Sequence, residues 1–246
     1  MIVKDEAIIL RSIDFGETSK IITAFTRRFG KMSLIAKGMR NPKSKLFFAS
    51  QPLSILEITF YDKNKNGLHL LSTAANLITL NKIFSSFEHL TYGMMIIESL
   101  YQTLIEHNPL QDMFDYTKET IQMINQLDCE PFSLFVASQF KLAEVLGFWL
   151  QFDFMLDEFA TKSSTYAFSI EDGCPILMSK ADKNKFVFDF NSALYLQTIF
   201  KKPLVELTKV SPPKSSINKI VSFFEKYFSF HLEKNFFYDY FSLLSS

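Results

Sequence analysis

The stretch that decides the fold is residues 16–57, GETSKIITAFTRRFGKMSLIAKGMRNPKSKLFFASQPLSILE. Its apolar runs, at residues 21–26 and 32–36, are short and divided by Phe29-Gly30. Runs of that size bounded by turn residues read as strands, and the short gap around Gly30 favours an antiparallel hairpin. After Gly38 the polar segment MRNPKSK reads as an exposed loop, because Pro42 has no N–H for a central ladder. The same stretch is charged on one side only. Residues 18–56 hold Lys20, Arg27, Arg28, Lys31, Lys37, Arg40, Lys43 and Lys45 and no acid, in a chain whose formal net charge is zero. A local excess of cations makes a positive field that a polyanion satisfies, chiefly through counterion release.

Outward from this stretch the strand pattern continues. Residues 7–13 are apolar and β-branched, and Asp14-Phe15-Gly16-Glu17 ends them. Residues 54–61 alternate, with Leu56, Ile58 and Phe60 on one side, the period of two of a half-buried strand. Asn66-Gly67 then supplies a tight hairpin turn before a fifth run at 68–74. Five short strands joined by turns and one basic loop fit a small closed barrel of the OB type. Such barrels bind nucleic acid by tracking the backbone with cations and stacking bases on aromatics. Phe47 and Phe48 border the basic loop, where plugging the barrel is the expected role rather than stacking.

From about residue 81 the texture turns helical. Met94, Ile97, Tyr101 and Ile105 form one apolar row and Met95, Ile96, Leu100 and Leu104 another, so this helix is apolar on most of its girth. Phe114, Thr117, Ile121, Ile124 and Leu127 mark a second helix. A third opens at Pro131 and carries Phe132, Phe135, Gln139, Leu142, Leu146 and Trp149 on one face. Residues 151–190 are irregular, with a small hairpin expected around 166–175, and helices resume at 191–200 and from 215 onward. The expected class is α+β: an OB barrel over residues 1–80, then a helical domain over 81–246.

Charge is partitioned accordingly: minus two over residues 1–17, plus eight over 18–56 and minus six over the rest. A basic block on an acidic body fits one anion-binding surface; the plainer alternative is lysines that keep strand edges soluble. The two cysteines, Cys129 and Cys174, lie far apart and support neither a disulfide framework nor a redox pair, which fits the reducing cytosol. No basic region followed by a long apolar one opens the chain, and no run approaches the ~20 apolar residues of a membrane span. No catalytic motif appears: GxSxG, HExxH, GxxxxGK[ST] and GxGxxG are all missing, so no enzyme is expected.

These residues carry a resemblance. GETSKIITAFTRRFG, LIAKGMRNPKSK, QPLSILEITF and NGLHLLSTAANLI, in that order, resemble the N-terminal OB domain of the bacterial RecO family of recombination mediators. FKLAEVLGF at 140–148 is similar to the family's helix before its zinc-binding segment, and FFEKYFSFHLEK at 223–234 to its final helices. The resemblance implies binding of single- and double-stranded DNA, annealing of complementary strands, and cooperation with RecR. It also implies contact with the acidic tail of single-strand-binding protein and loading of RecA onto gapped DNA, in the cytoplasm and on the nucleoid. DNA contacts would fall on Arg27, Arg28, Lys37, Arg40, Lys43 and Lys45, the last four first because they lie in or beside the loop.

One departure stands out. Many members carry a four-cysteine zinc site after the LG-containing helix, whereas residues 151–177 here hold only Cys174, and His69, His89, His107 and His231 lie elsewhere. Tetrahedral zinc needs four such ligands. The expectation is no zinc, with the segment held by packing of Phe152, Phe154, Phe159, Tyr166 and Phe168. Two other classes remain open: a protein-interaction adaptor whose basic face attracts an acidic tail, and an RNA-binding OB protein.

Overall fold

The computed structural model describes residues 1–41, 43–44, 46–62, 67–154, 164–180 and 183–244. They divide into two compact units, one of residues 1–127 with 240–246 and one of residues 128–239.

The first unit is built on five strands: β1 Ile2–Phe15, β2 Ser19–Thr26, β3 Gly30–Ala36, β4 Ile55–Tyr61 and β5 His69–Ile78. They pair in the cyclic order β1-β2-β3-β5-β4, with β4 returning to β1, so the sheet closes on itself as a barrel. All pairings are antiparallel except that of β3 with β5. The interior follows the period of two read from sequence: Met32, Leu34 and Ala36 of β3 meet Leu56, Ile58 and Phe60 of β4 in the core. A bulge between Ile9 and Arg11 lets residues 7–10 of β1 be buried in succession.

Two strands outrun their sequence signals. Strand β1 starts at Ile2 because the charged Lys4-Asp5-Glu6 run is ladder-paired with Thr59, Ile58 and Glu57. Strand β5 runs on to Ile78 because Ala75 and Asn76 pair with Glu57 and Leu56. Met39, read as part of an exposed loop, is fully buried in the barrel core. The Asn66-Gly67 turn lies partly outside the described residues.

Helices α1 Phe87–Thr103 and α2 Gln111–Ile124 belong to the same compact unit as the barrel. The sequence boundary at residue 80 marks where strands give way to helices; the division into units comes later. The reason is visible at Phe25, which is fully buried on β2 with its ring edge-on to Phe114 of α2 at 5.5 Å. Three residues placed by periodicity on the faces of these two helices lie beyond the helix ends: Leu104, which is buried, Ile105, which is exposed, and Leu127.

Gly30 opens β3 with φ of 71°, and a Cβ there would sit 2.2 Å from the Asn108 carbonyl oxygen. Positive φ alone costs a non-glycine residue roughly 1–2 kcal/mol. Gly30→Ala is therefore expected to lower the urea midpoint of this unit clearly more than Gly16→Ala, where φ is also positive but nothing lies within 4 Å. Equal midpoints for the two variants would refute the close approach.

The second unit holds α3 Pro131–Val145, β6 Thr165–Ser169, β7 Cys174–Ile176, β8 Lys185–Asp189, α4 Phe190–Lys201, the single turn α5 Leu204–Leu207 and α6 Ile217–His231. The three strands form an antiparallel sheet in the order β7-β6-β8, more regular than the hairpin read from sequence. Helix α3 stops before Trp149: Phe148 N–H donates to Ala143 and Gly147 N–H to Glu144, with Gly147 at φ 80°. That left-handed cap turns Trp149 out of the helix and leaves it exposed.

Candidate nucleic-acid interface

Strand direction sorts the basic residues into two groups. The β1–β2 turn, the end of β3, the start of β4 and the end of β5 share one end of the barrel. The β2–β3 turn and the starts of β1 and β5 lie at the other. Lys37, Arg40 and Lys43 follow β3 at the first end; Arg27 and Arg28 sit in the β2–β3 turn at the second. A seven-residue strand separates them by about 20 Å.

At the far end both arginines have protein partners. Arg27 makes a bidentate pair with Asp115 of α2, Nε to Oδ1 at 2.9 Å and Nη2 to Oδ2 at 2.7 Å. Its hydrogen bonds hold the Asp115 carboxyl below its ordinary pKa. That contribution to stability is present above the ordinary carboxylate pKa and is lost as the pH falls through the lowered one. Arg28 is tied to the buried Asp5, which accepts from the Arg28 backbone N–H at 2.9 Å and from its Nε at 3.2 Å. Its Nη2 also donates to the Lys4 carbonyl. Together they fix the β2–β3 turn against β1.

At the near end the cations face solvent. Buried Met39 anchors the segment, and exposed Lys37 and Arg40 flank it. The backbone is held by Arg40 N–H to the Thr18 carbonyl at 3.0 Å, Ser44 N–H to Asn41 at 2.8 Å and Lys43 N–H to the Asn41 side chain at 3.0 Å. Among the described residues, the Lys37 and Lys43 side chains have no ion-pair partner. Arg40 donates to the Gly16 carbonyl at 3.0 Å and lies 3.5 Å from Asp14, which Lys20 also contacts at 3.0 Å. The hydrogen bond from Lys20, helped by Arg40, lowers the Asp14 pKa. Asp14 and Glu17 are the acids of the adjacent turn. Lys45 lies outside the described residues.

Aromatic side chains complete this end. Phe15 is 48% and Phe47 47% exposed, while Phe48 packs on the barrel core. Of the two phenylalanines beside the basic loop, Phe48 is half-buried against the barrel core and its neighbour Phe47 faces solvent. Phe15 was missed by sequence reasoning because it sits in a turn-like Asp-Phe-Gly-Glu run. Alternating strand register, which puts it on the outside, is the signal that could have found it.

A separation of roles is expected to follow. Arg27→Gln and Arg28→Gln should each leave the slope of log DNA affinity against log salt close to wild type, whereas Lys37→Gln should reduce it by about 0.7. The reverse ranking in a salt titration would move the interface to the other end.

The zinc question turns on donors. Among the described residues no three His, Cys, Asp or Glu side chains converge to hold a metal. This part of the second unit is packed with rings: Phe152 stacks on Phe168 at 5.0 Å, and Phe223 meets Phe168, Phe186 and Phe188 edge-on at 5.2, 5.4 and 5.1 Å. Phe152, Phe154 and Phe168 are buried, Tyr166 is half-buried against Phe154, and Phe159 lies outside the described residues. Burial raises the pKa of Cys129 to about 11 and also raises that of Cys174, so neither thiol is primed as a nucleophile.

Fold and site together define an α+β protein with an N-terminal OB-type barrel, cationic and aromatic at one end, followed by helices. Residues 1–79 match the family described as Recombination protein O N terminal, and residues 85–237 match Recombination protein O C terminal. The chain therefore belongs to the bacterial RecO family of DNA repair and recombination proteins. It is 28% identical to the DNA repair protein RecO of Chloroherpeton thalassium over 95% of this chain and 94% of that one. Against the DNA repair protein RecO of Bacillus subtilis identity is 25% over 97% and 94%. The match to the DNA repair protein RecO of Salinibacter ruber is 32% identical but covers 59% of this chain and 56% of that relative, just over half its length. Among the described residues no helix is long and apolar enough to cross a membrane.

Proposed function

We propose that the barrel end that carries Lys37, Arg40, Lys43 and Phe47 beside the β1–β2 turn binds single- and double-stranded DNA and promotes annealing of complementary strands. The observation that carries this reading is the pair of unneutralised cations, Lys37 and Lys43, beside Arg40 and the exposed rings of Phe15 and Phe47. Cations that have no carboxylate partner are available to displace condensed counterions from phosphates, and exposed rings offer a platform to unstacked bases.

Annealing follows from electrostatics alone. Two phosphate backbones repel each other, and a surface that neutralises both lowers the barrier to pairing, with no covalent step. In this reading Arg27 and Arg28 support the barrel rather than touch DNA. No catalytic group and no metal takes part. The same surface and the helical unit serve as docking sites for RecR and for the acidic tail of single-strand-binding protein, so that RecA is loaded on gapped DNA in the cytoplasm.

The test is strand annealing by the wild type beside a variant in which Lys37, Arg40, Lys43 and Lys45 are all alanine. Loss of annealing by a folded variant is the expected result; unchanged annealing rejects this face.

A further inference from the structure

We propose that a cleft at the same barrel end holds one unstacked base of single-stranded DNA. The inference rests on the reading of this end as a DNA-binding surface, and adds to it a base contact that phosphate-tracking cations do not supply. The cleft lies between the 3-10 turn Phe47–Ser50 and the end of β5, with a volume of about 140 Å³. Pockets for drug-sized ligands begin near ~300 Å³, so this one suits a single flat ring system.

Its lining is unlike the loop next to it. Phe48 and Phe84 provide aromatic walls, Gln51, Asn76 and Asn81 provide amides, and no lining residue is charged. A phosphate or an acidic peptide would seek cations, and here there are none. Primary amides carry a donor and an acceptor side by side, the pattern that base edges present, with adenine the best match for Asn and Gln. The side chains of Gln51, Asn76 and Asn81 make no hydrogen bond with a described residue, so that capacity is open to a ligand. The neighbouring Asn125 behaves differently. Its Oδ1 accepts from the Lys82 and Ile83 backbone N–H groups at 3.1 and 3.0 Å, which fixes the turn that carries Phe84.

Chain connectivity brings cleft and cations together. The segment bearing Lys37, Arg40 and Lys43 runs directly into the turn that carries Phe48. A strand held there by its phosphates therefore passes a ring-lined slot, and base–aromatic stacking is worth on the order of 5- to 150-fold in affinity per base.

The test compares a single-stranded oligodeoxyadenylate with an abasic oligonucleotide of the same length, by fluorescence anisotropy with the full chain. The wild type is expected to bind the adenine strand at least about fivefold more tightly. The double variant Phe84→Ala/Asn76→Ala should bring that ratio close to one, leaving abasic affinity and salt slope unchanged. Phe84→Trp should keep or raise the ratio. Both positions are exposed, so the variants are expected to fold. A wild-type ratio near one, or a double variant that keeps the full ratio because Phe15 and Phe47 do all the stacking, overturns the cleft while leaving the cationic surface standing. Failure of the wild type to bind either strand at low salt overturns both.

Discussion

Replacing Lys37, Arg40, Lys43 and Lys45 together by alanine is expected to weaken single-stranded DNA binding by several hundred-fold near 0.1 M salt and to abolish annealing. Each phosphate neutralised on a single strand contributes about −0.7 to the slope of log affinity against log salt, so four lost contacts flatten the slope by about 3. Extrapolated from 1 M to 0.1 M salt, that change in slope is a factor on the order of several hundred. Titration of a labelled oligonucleotide at three or four salt concentrations measures it. The same experiment on Arg27→Gln/Arg28→Gln is the control, since those guanidinium groups are held by Asp115 and Asp5 at the opposite end of the barrel. If the paired arginines carried the slope and the loop cations did not, the proposed interface would be wrong.

Phe223→Ala is expected to produce the largest loss of stability in the second unit. The ring is fully buried and lies within 5.1 to 5.8 Å of Phe152, Phe168, Phe186, Phe188, Phe224 and Tyr227. Truncating a buried phenylalanine costs about 3–5 kcal/mol from lost transfer energy and the cavity left behind. At about 2–4 °C per kcal/mol this lowers the melting temperature by roughly 6–20 °C. A strong zinc chelator, by contrast, is expected to leave the wild-type melt unchanged, because ring packing holds this segment and no three metal donors converge among the described residues. A chelator-induced drop comparable to that of Phe223→Ala would show that metal, not ring packing, holds this segment.

The two expectations separate what each unit does. The first tests charge placed on a surface, and its effect vanishes at high salt. The second tests buried apolar area, which salt does not screen. A variant that weakens DNA binding equally at all salt concentrations would therefore point to damage to the fold rather than to the interface.

Local order along the chain determined much of this. The period of two in residues 54–61, the short runs on either side of Gly30 and the three-and-four spacing after residue 81 named the barrel strands and the helices. The absence of acids from residues 18–56 named the basic segment, and the motif order named the family. Strand ends were less legible, because Lys4-Asp5-Glu6 and residues 75–78 are extended through their ladder partners and not through their own propensity.

Only the tertiary structure decided which cations are free. Arg27, Arg28, Lys37, Arg40 and Lys43 look equivalent in a string but are divided by the direction of β2 and β3 into two ends of a barrel, and the pairing of Arg27 with Asp115 joins residues far apart in the chain. Neither fact is local, since charge neutralisation depends on which distant carboxylate folding brings within about 4 Å. For the same reason Met39 is buried within a polar run, and the rings of Phe152, Phe168, Phe186 and Phe188 converge on Phe223. A sequence lists the groups that are available, and closure of the chain in space selects the ones that meet.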